Sequence, residues 1–134
     1  MSKIGIIILH WNDYNHTTEC VESVLSQNAN NFMVYVVDNG STNDSLLRLQ
    51  ENFKEVKFIL TGRNLGYAGG MNQGISLALK EKCDEILILN NDVILDKNCL
   101  KMMSERLKND EKTGVVVPMV YQGKAGKEIN SIGG

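Results

Sequence analysis

Four short polar stretches in this sequence each follow an apolar run, and their residues are of types that bind polar ligands. In chain order they are His10-Trp11-Asn12, Asp38-Asn39, Arg63-Asn64 and Asn90-Asn91-Asp92. Carboxylate and amide oxygens can hydrogen-bond a ligand, and they are also the oxygen ligands that hard divalent cations such as Mg²⁺ take. The sequence therefore offers four candidate pieces of one polar binding site.

Each stretch, taken alone, also has a purely structural explanation. Asp38-Asn39-Gly40-Ser41 is a good turn and helix start, and residues 90–92 could form an Asx turn. Trp11 could be a core aromatic residue, and His10 and His16 are lone histidines without metal-ligand spacing. The chemistry therefore depends on whether the fold brings the stretches together.

The elements that carry these stretches alternate between strand and helix. Continuous apolar runs predict strands at residues 4–9, 32–37, 56–60, 85–89 and 114–117. Helical spacing predicts helices at about 16–28 and 42–53, a third that ends near residue 82 and a fourth that ends near residue 108. Ser41 is the predicted cap of the second helix and Asp96 of the fourth. This alternation indicates an α/β fold with a mostly parallel sheet flanked by helices, in which ligands bind beyond the carboxyl ends of the strands.

A glycine-rich stretch at residues 62–74 opens the third helix. Glycines inside a helix cost up to about 1 kcal/mol each, which suggests close backbone approach or tight packing. A helix start is also a natural anion site. Neither common phosphate motif is present, because GxGxxG has no match and the spacing Gly69 to Gly74 is followed by Ile75 where a P-loop has lysine. These observations argue against a dinucleotide fold and a P-loop NTPase.

The composition narrows the class of protein. The chain has 134 residues, 43% hydrophobic and 22% charged, with a net charge of −2, which fits one globular domain without a basic face for nucleic acid. Its apolar runs are too short for a membrane span or a signal peptide. Three cysteines without a CxxC pair predict neither a disulfide framework nor a zinc site. We therefore expect a cytoplasmic protein.

Together the four stretches resemble the family-2 glycosyltransferases, which have the Rossmann-like GT-A fold. The stretches that carry the resemblance are IIILHWN (6–12), VVDNGSTNDS (36–45), NLGYAGGMNQG (64–74) and LILNNDVIL (87–95). The resemblance implies transfer of a sugar, with inversion, from a dTDP- or UDP-sugar to an acceptor hydroxyl in polysaccharide or glycan synthesis. The third stretch looks most like the branch that includes rhamnosyltransferases.

The resemblance also implies roles for individual residues. The loop from His10 to Asn12 would contact the nucleotide base, Asp38 the base or ribose, and the region of Arg63 and Asn64 the nucleotide. The full set expected to bind the nucleotide sugar is His10, Trp11, Asn12, Asp38, Asn39, Arg63, Asn64, Gly70, Asn72 and Asn91.

The metal motif of the family, usually written DxD, falls on residues 90–92. Asp92 is the main expected ligand of a Mg²⁺ or Mn²⁺ ion, since one carboxylate can suffice when phosphates share the metal. Asn90 offers only a neutral oxygen and is the weaker expected ligand.

The remaining expectations concern the whole enzyme. Residues 1–120 are predicted to bind the nucleotide sugar and 121–134 to begin an acceptor-side region, so the chain would be a fragment that stops after its fifth strand. The implied acceptor is a saccharide or a lipid-linked saccharide, compatible with peripheral contact at the inner face of the membrane. The general base, an Asp or Glu in this family, is expected beyond Gly134.

Two other functions stay open at this point. The chain could be a non-catalytic domain that binds nucleotide sugars. It could also be a phosphorelay receiver domain with Asp38 as the phosphoacceptor. That fold would want acidic residues at His10-Trp11 and a lysine where Val117 precedes Pro118.

Overall fold

Four strands alternate with four helices, and a short hairpin follows them. The computed structural model describes residues 2–123 and 128–131. The strands are β1 (Ile4–His10), β2 (Phe32–Asp38), β3 (Lys57–Leu60), β4 (Glu85–Asn90), β5 (Val120–Gln122) and β6 (Glu128–Ser131). The helices are α1 (Tyr14–Leu25), α2 (Ser45–Asn52), α3 (Gly66–Lys80) and α4 (Cys99–Lys108). The predicted α/β class is confirmed.

The first four strands form one parallel sheet in the order β3-β2-β1-β4. In its register, His10 at the end of β1 lies opposite Asp38 of β2. Leu9 lies opposite Asn90 of β4, and Asp38 lies opposite Leu60 of β3. All four strands therefore end at the same edge of the sheet, and the polar stretches begin there.

Strand β1 is buried on both faces. Ile6 and Ile8 pack in a cluster that includes Val21 of α1, while Ile7 belongs to a second cluster with Met71 of α3. This two-sided burial accounts for the uninterrupted apolar run, which is typical of parallel strands covered by helices. Burial of each isoleucine side chain contributes about 1.5–3 kcal/mol, so β1 anchors the sheet.

Two predicted helix caps are wrong. Helix α2 starts at Ser45, and its capping position is Asp44, which makes no side-chain cap bond. Ser41 instead accepts a hydrogen bond from the Asn12 backbone N–H and so belongs to the preceding loop. Helix α4 starts at Cys99, because Asp96 accepts from the Asn98 N–H in an extra turn before it.

The predicted fifth strand at 114–117 is also wrong. These residues are not paired in a sheet; Val115 is 79% exposed and Val117 is 54% exposed. The apolar run predicts a buried strand. Among the described residues, however, no strand pairs with the outer edge of β4, so residues 114–117 do not extend the sheet. The chain instead forms the antiparallel β5–β6 hairpin further on. None of the described helices combines the length and apolarity needed to cross a bilayer.

Two glycines allow α3 to lie directly on the sheet. A Cβ added at Gly74 would stand 2.4 Å from Ile7 Cγ2 and 2.9 Å from Val37 Cγ2. A Cβ added at Gly70 would stand 2.5 Å from Leu9 Cδ1. Real side chains do not approach so closely, so the expectation of tight helix packing is confirmed at these two positions.

Gly74→Ala is expected to lower the free energy of unfolding by about 1–2 kcal/mol, because the overpacking penalty exceeds the gain in helix propensity. Ser76→Ala on the exposed side of the same helix is the matched control, with a change within about 0.5 kcal/mol. Urea denaturation of the two variants measures both values. Equal stability of Gly74→Ala and the wild type would contradict the close packing of α3.

Candidate functional site

Three of the loops at the carboxyl edge of the sheet touch one another. Gly40, in the loop after β2, has a φ of +81°. A Cβ added there would stand 2.6 Å from the backbone carbon of Arg63 in the loop after β3. The loop after β1 joins them through Asn12, which hydrogen-bonds residues 41–43. We call this edge the rim, formed by the loops after β1, β2, β3 and β4.

The amide of Asn12 organises the loop after β2. Its Oδ1 accepts from the Thr42 N–H at 2.8 Å and the Asn43 N–H at 3.3 Å, and its Nδ2 donates to Thr42 Oγ1. Its backbone N–H donates to Ser41 Oγ, and its φ of +54° is one that asparagine tolerates. The Asn12 side chain, predicted to bind the nucleotide sugar, is thus engaged within the protein.

The amide of Asn39 fixes the start of α3 in the same way. Its Oδ1 accepts from the Leu65 N–H, and its Nδ2 donates to Asn64 Oδ1 and to the Gly66 carbonyl. Asn64 Oδ1 also accepts from the Gly66 N–H. Gly70 is buried directly against Asn39, since an added Cβ would stand 3.1 Å from its Cγ. Asn39, Asn64 and Gly70 therefore shape the rim from within.

His10 lies beneath the rim, and its ring is fully buried. Its Nδ1 lies 2.7 Å from Thr17 Oγ1, and its Nε2 lies 2.8 Å from Ser45 Oγ. Thr17 Oγ1 also accepts from Asn91 Nδ2 at 3.1 Å. The ring thus connects the ends of β1 and β4 and the starts of α1 and α2, and it is not accessible to a ligand at the surface.

The predicted site residues do not include Thr17, Ser45 or Ser41. A signal for the first two was present, because each polar residue occupies an apolar helix stripe. Thr17 is followed at helical spacing by buried Val21 and Val24, and Ser45 by buried Leu49. A polar side chain on such a stripe needs a buried partner, which here is His10.

Asp38 is the residue of the rim with unused hydrogen-bonding capacity. Its side chain is 6% exposed, and its Oδ2 accepts from the Ser41 N–H at 3.2 Å. Its Oδ1 is buried and has no hydrogen-bond partner among the described residues, with His10 Nε2 3.9 Å away. A buried polar atom left unsatisfied costs about 1–3 kcal/mol, so a ligand donor that reached Oδ1 as the rim opened around it would recover that energy.

The other predicted site residues have exposed side chains. Trp11 is 53% exposed. The other exposed residues of the predicted site are Arg63, Asn72, Asn90 and Asp92. Within the described residues, these side chains make no hydrogen bond or ion pair. They can therefore contact a ligand without giving up a contact inside the protein.

The turn after β4 suits a divalent cation only if a bound ligand supplies some of the coordinating atoms. Asp92 and Asn90 offer one carboxylate and one amide oxygen, the donor type that Mg²⁺ and Mn²⁺ accept. No group of three or more His, Cys, Asp or Glu side chains among the described residues could hold a metal by itself. The residues thus fit a cation that takes its remaining ligands from phosphate and water.

The electrostatics of the rim favour a neutral His10. Burial lowers the pKa of His10, and it outweighs the opposing influence of the Asp38 and Asp13 carboxyls. His16 is exposed, and its hydrogen bond to Asp13 raises its pKa. Burial raises the pKa of the nearby Cys20 thiol to about 12, so this cysteine stays protonated.

Acidification is expected to destabilise the fold through His10. The pKa of His10 is lower in the folded than in the unfolded chain. Below about pH 6.5 the unfolded chain therefore binds more protons than the folded chain, and stability decreases as the pH is lowered. His10→Gln should flatten this decline. Urea denaturation between neutral and mildly acidic pH measures it, with both chains carrying His16→Asn, since the raised pKa of His16 acts in the opposite direction. Identical pH slopes would contradict the neutral buried ring.

The sequence and the fold both match known proteins. The model of the family "Glycosyl transferase family 2" matches residues 5–132. The chain is 27% identical over 124 residues to a teichoic acid poly(glycerol phosphate) polymerase of Staphylococcus epidermidis, covering 89% of this chain and 16% of that protein.

Two solved structures show the same fold. Residues 1–349 of S. aureus TarS in complex with UDP-GlcNAc superpose with a TM-score of 0.66 at 23% identity, over 87% of this chain and 37% of that one. The mannosyltransferase PcManGT from Pyrobaculum calidifontis, in complex with GDP-Man and Mn²⁺, gives 0.62 at 19% identity, over 79% and 32%. The predicted GT-A architecture is confirmed.

The chain thus spans well under two thirds of each of these proteins. The family model, in contrast, extends over nearly all of its residues, from the first strand to the hairpin. On this evidence the chain belongs to glycosyl transferase family 2.

Proposed function

We propose that the rim binds a UDP- or dTDP-sugar, and that the chain is the donor-binding part of an inverting glycosyltransferase of polysaccharide or glycan synthesis. The observation that carries this proposal is the carboxyl group of Asp38, buried at the rim with Oδ1 unsatisfied. A TarS structure that shares the fold contains UDP-GlcNAc, and one relative is named a teichoic acid polymerase, which supports the donor and product classes.

The chemistry of Asp38 favours a uracil or thymine base. Both bases carry an N3–H donor, whereas N3 of cytosine is an acceptor. A carboxylate oxygen accepts hydrogen bonds, so Asp38 facing N3 would accept from the N3–H of uracil or thymine and would meet a second acceptor at N3 of cytosine. The exposed ring of Trp11 offers a face on which a base can stack. The Arg63 guanidinium makes no ion pair within the part of the chain that the structure describes, and it suits a diphosphate.

Asp92 and Asn90 are the residues that would hold a divalent cation in this proposal. Such a cation, when bound, offsets the negative charge of the departing nucleoside diphosphate. The amide nitrogen of Asn91, between these two residues, donates to Thr17 Oγ1 and so holds the turn from inside. The PcManGT structure with GDP-Man and Mn²⁺ supports the same type of site on this fold.

We propose a saccharide or lipid-linked saccharide acceptor, with the general base supplied by residues beyond this chain. Neither acid that follows the turn at residues 90–92 is assigned as this base, since Asp96 closes a turn and Glu105 lies exposed on α4. A phosphorelay receiver is disfavoured by the family match.

Asp38→Ala is expected to weaken UDP binding roughly 10- to 100-fold, the loss of one hydrogen bond to a charged group. It should also remove the preference of the wild type for UDP over CDP. Calorimetry with both nucleotides measures the change. Asp44→Ala is the matched control, since this exposed neighbour makes no side-chain cap bond. Wild-type protein that binds neither UDP, dTDP nor their sugars at millimolar concentration would refute the donor site.

Asp92→Asn is expected to reduce the strengthening of UDP binding by Mn²⁺ by at least about tenfold, because the only carboxylate of the turn loses its charge. Binding without metal should change little. Glu51→Gln on the exposed face of α2 controls for a general loss of negative charge. An unchanged Mn²⁺ response in Asp92→Asn would place the cation elsewhere.

The sugar itself is tested by competition. Titration of the same protein with UDP-GlcNAc and with dTDP-rhamnose distinguishes a UDP-sugar donor from a dTDP-sugar donor. The rhamnosyltransferase branch predicts tighter binding of dTDP-rhamnose, and the reverse order would assign the chain to another branch of the family.

A further inference from the structure

We infer that His10 is a positioning residue that couples the two halves of the donor site, the Asp38 carboxyl and the turn at residues 90–92. The inference rests on the proposed function, which assigns base binding to the Asp38 carboxyl and cation binding to the turn. Its basis is that one buried ring lies next to both sides: Nδ1 is in hydrogen-bond distance of Thr17 Oγ1, which accepts from Asn91, and Nε2 lies 3.9 Å from Asp38 Oδ1.

The Nε2 side of the ring faces the base-binding half. Ser45 Oγ lies 2.8 Å from Nε2, and Asp38 Oδ1 lies 3.9 Å from the same atom. The backbone supports this arrangement, because His10 and Asp38 are register partners and the His10 carbonyl accepts from the Asn39 N–H. The position of Nε2 therefore limits where the Asp38 carboxyl can lie.

The Nδ1 side of the ring faces the turn at residues 90–92, which is proposed to hold the cation. Thr17 Oγ1 lies 2.7 Å from Nδ1 and accepts from Asn91 Nδ2 at 3.1 Å. Asn91 stands between the two proposed metal ligands, so the orientation of its amide sets the path of the turn. The link from the ring to the turn is therefore short and passes through one hydroxyl.

Burial makes this coupling specific to the ring. His10 has no exposed surface, so water cannot replace a lost partner without opening the rim. Ser45 and Thr17 can each donate or accept through a hydroxyl, so either neutral tautomer fits. Groups that hydrogen-bond a metal ligand directly commonly change metal affinity by about 10- to 100-fold when removed, and His10 acts further out, through Thr17 and Asn91.

Two substitutions separate the halves. The amide nitrogen of asparagine can take the place of histidine Nδ1, and that of glutamine can take the place of Nε2. His10→Asn is therefore expected to keep the Thr17–Asn91 link and lose the Ser45 contact. His10→Gln should keep the Ser45 contact and lose the link to the turn. Each variant is the matched control for the other.

Ligand-free NMR tests the coupling first. The Asn91 side-chain amide reports on the turn, and the Ser41 N–H, which donates to Asp38 Oδ2, reports on the other half. We expect His10→Gln to shift chiefly the Asn91 amide signals and His10→Asn chiefly the Ser41 signal. Equal shifts of both signals in both variants, or no shifts, would overturn the inference.

Binding then tests the consequence. His10→Asn should lose about tenfold of the preference for UDP over CDP and keep the Mn²⁺ response, and His10→Gln should do the reverse. A merely structural role would reduce both properties together in both variants, which would overturn the inference. Wild-type protein that binds no nucleotide would refute the proposed function, while the NMR split would still decide whether His10 couples the two halves.

Discussion

The parallel pairing of β1 between β2 and β4 is the constraint on which the rest of the structure depends. Ile6, Ile7 and Ile8 are fully buried, which fixes β1 as the strand covered on both faces. Its register with both neighbours then decides that His10, Asp38 and Asn90 reach the same edge. A different register would scatter these residues along the sheet, so the site exists because the core sets the alignment.

The polar residues at the rim divide into two groups with different physical tasks. Some have amide or ring atoms satisfied within the protein, and they are His10, Asn12, Asn39, Asn64 and Asn91. A second group has side-chain polar atoms without a hydrogen-bond partner among residues 2–123 and 128–131, and its members are Trp11, Asp38, Arg63, Asn72, Asn90 and Asp92. The first group removes the freedom of four loops before a ligand arrives, which reduces the ordering cost of binding. The second group supplies the contacts.

Much of the fold could be predicted from the sequence, because burial on both faces leaves continuous apolar runs. The four strands and four helices that form the parallel sheet and its cover were predicted to within a few residues. The helix starts were wrong where side chains serve the loops, as Ser41 does for Asn12. The strand at 114–117 was wrong because apolarity alone does not determine backbone pairing, and these residues do not pair with the outer edge of β4.

The site could be predicted only as a list of residue types at strand ends. Sequence position placed His10 and Asp38 together, but the direction of each side chain depends on contacts from distant elements. Thr17 and Ser45 turn the His10 ring inward, and nothing in the stretch at residues 6–12 foretells this. The same limit applies to Asn39, whose amide is directed by the loop that begins α3.

Binding of the nucleotide at the rim is measured most directly by titrating the isotope-labelled chain with UDP and monitoring its amide and indole NMR signals. If UDP binds at the rim, the shifts will be confined to the rim, with the Trp11 indole N–H and the Ser41 and Asn91 signals among the largest. Saturation without shifts at the rim would contradict it. So would shifts centred on the opposite end of the sheet, in the cleft between Asn28 and Lys101.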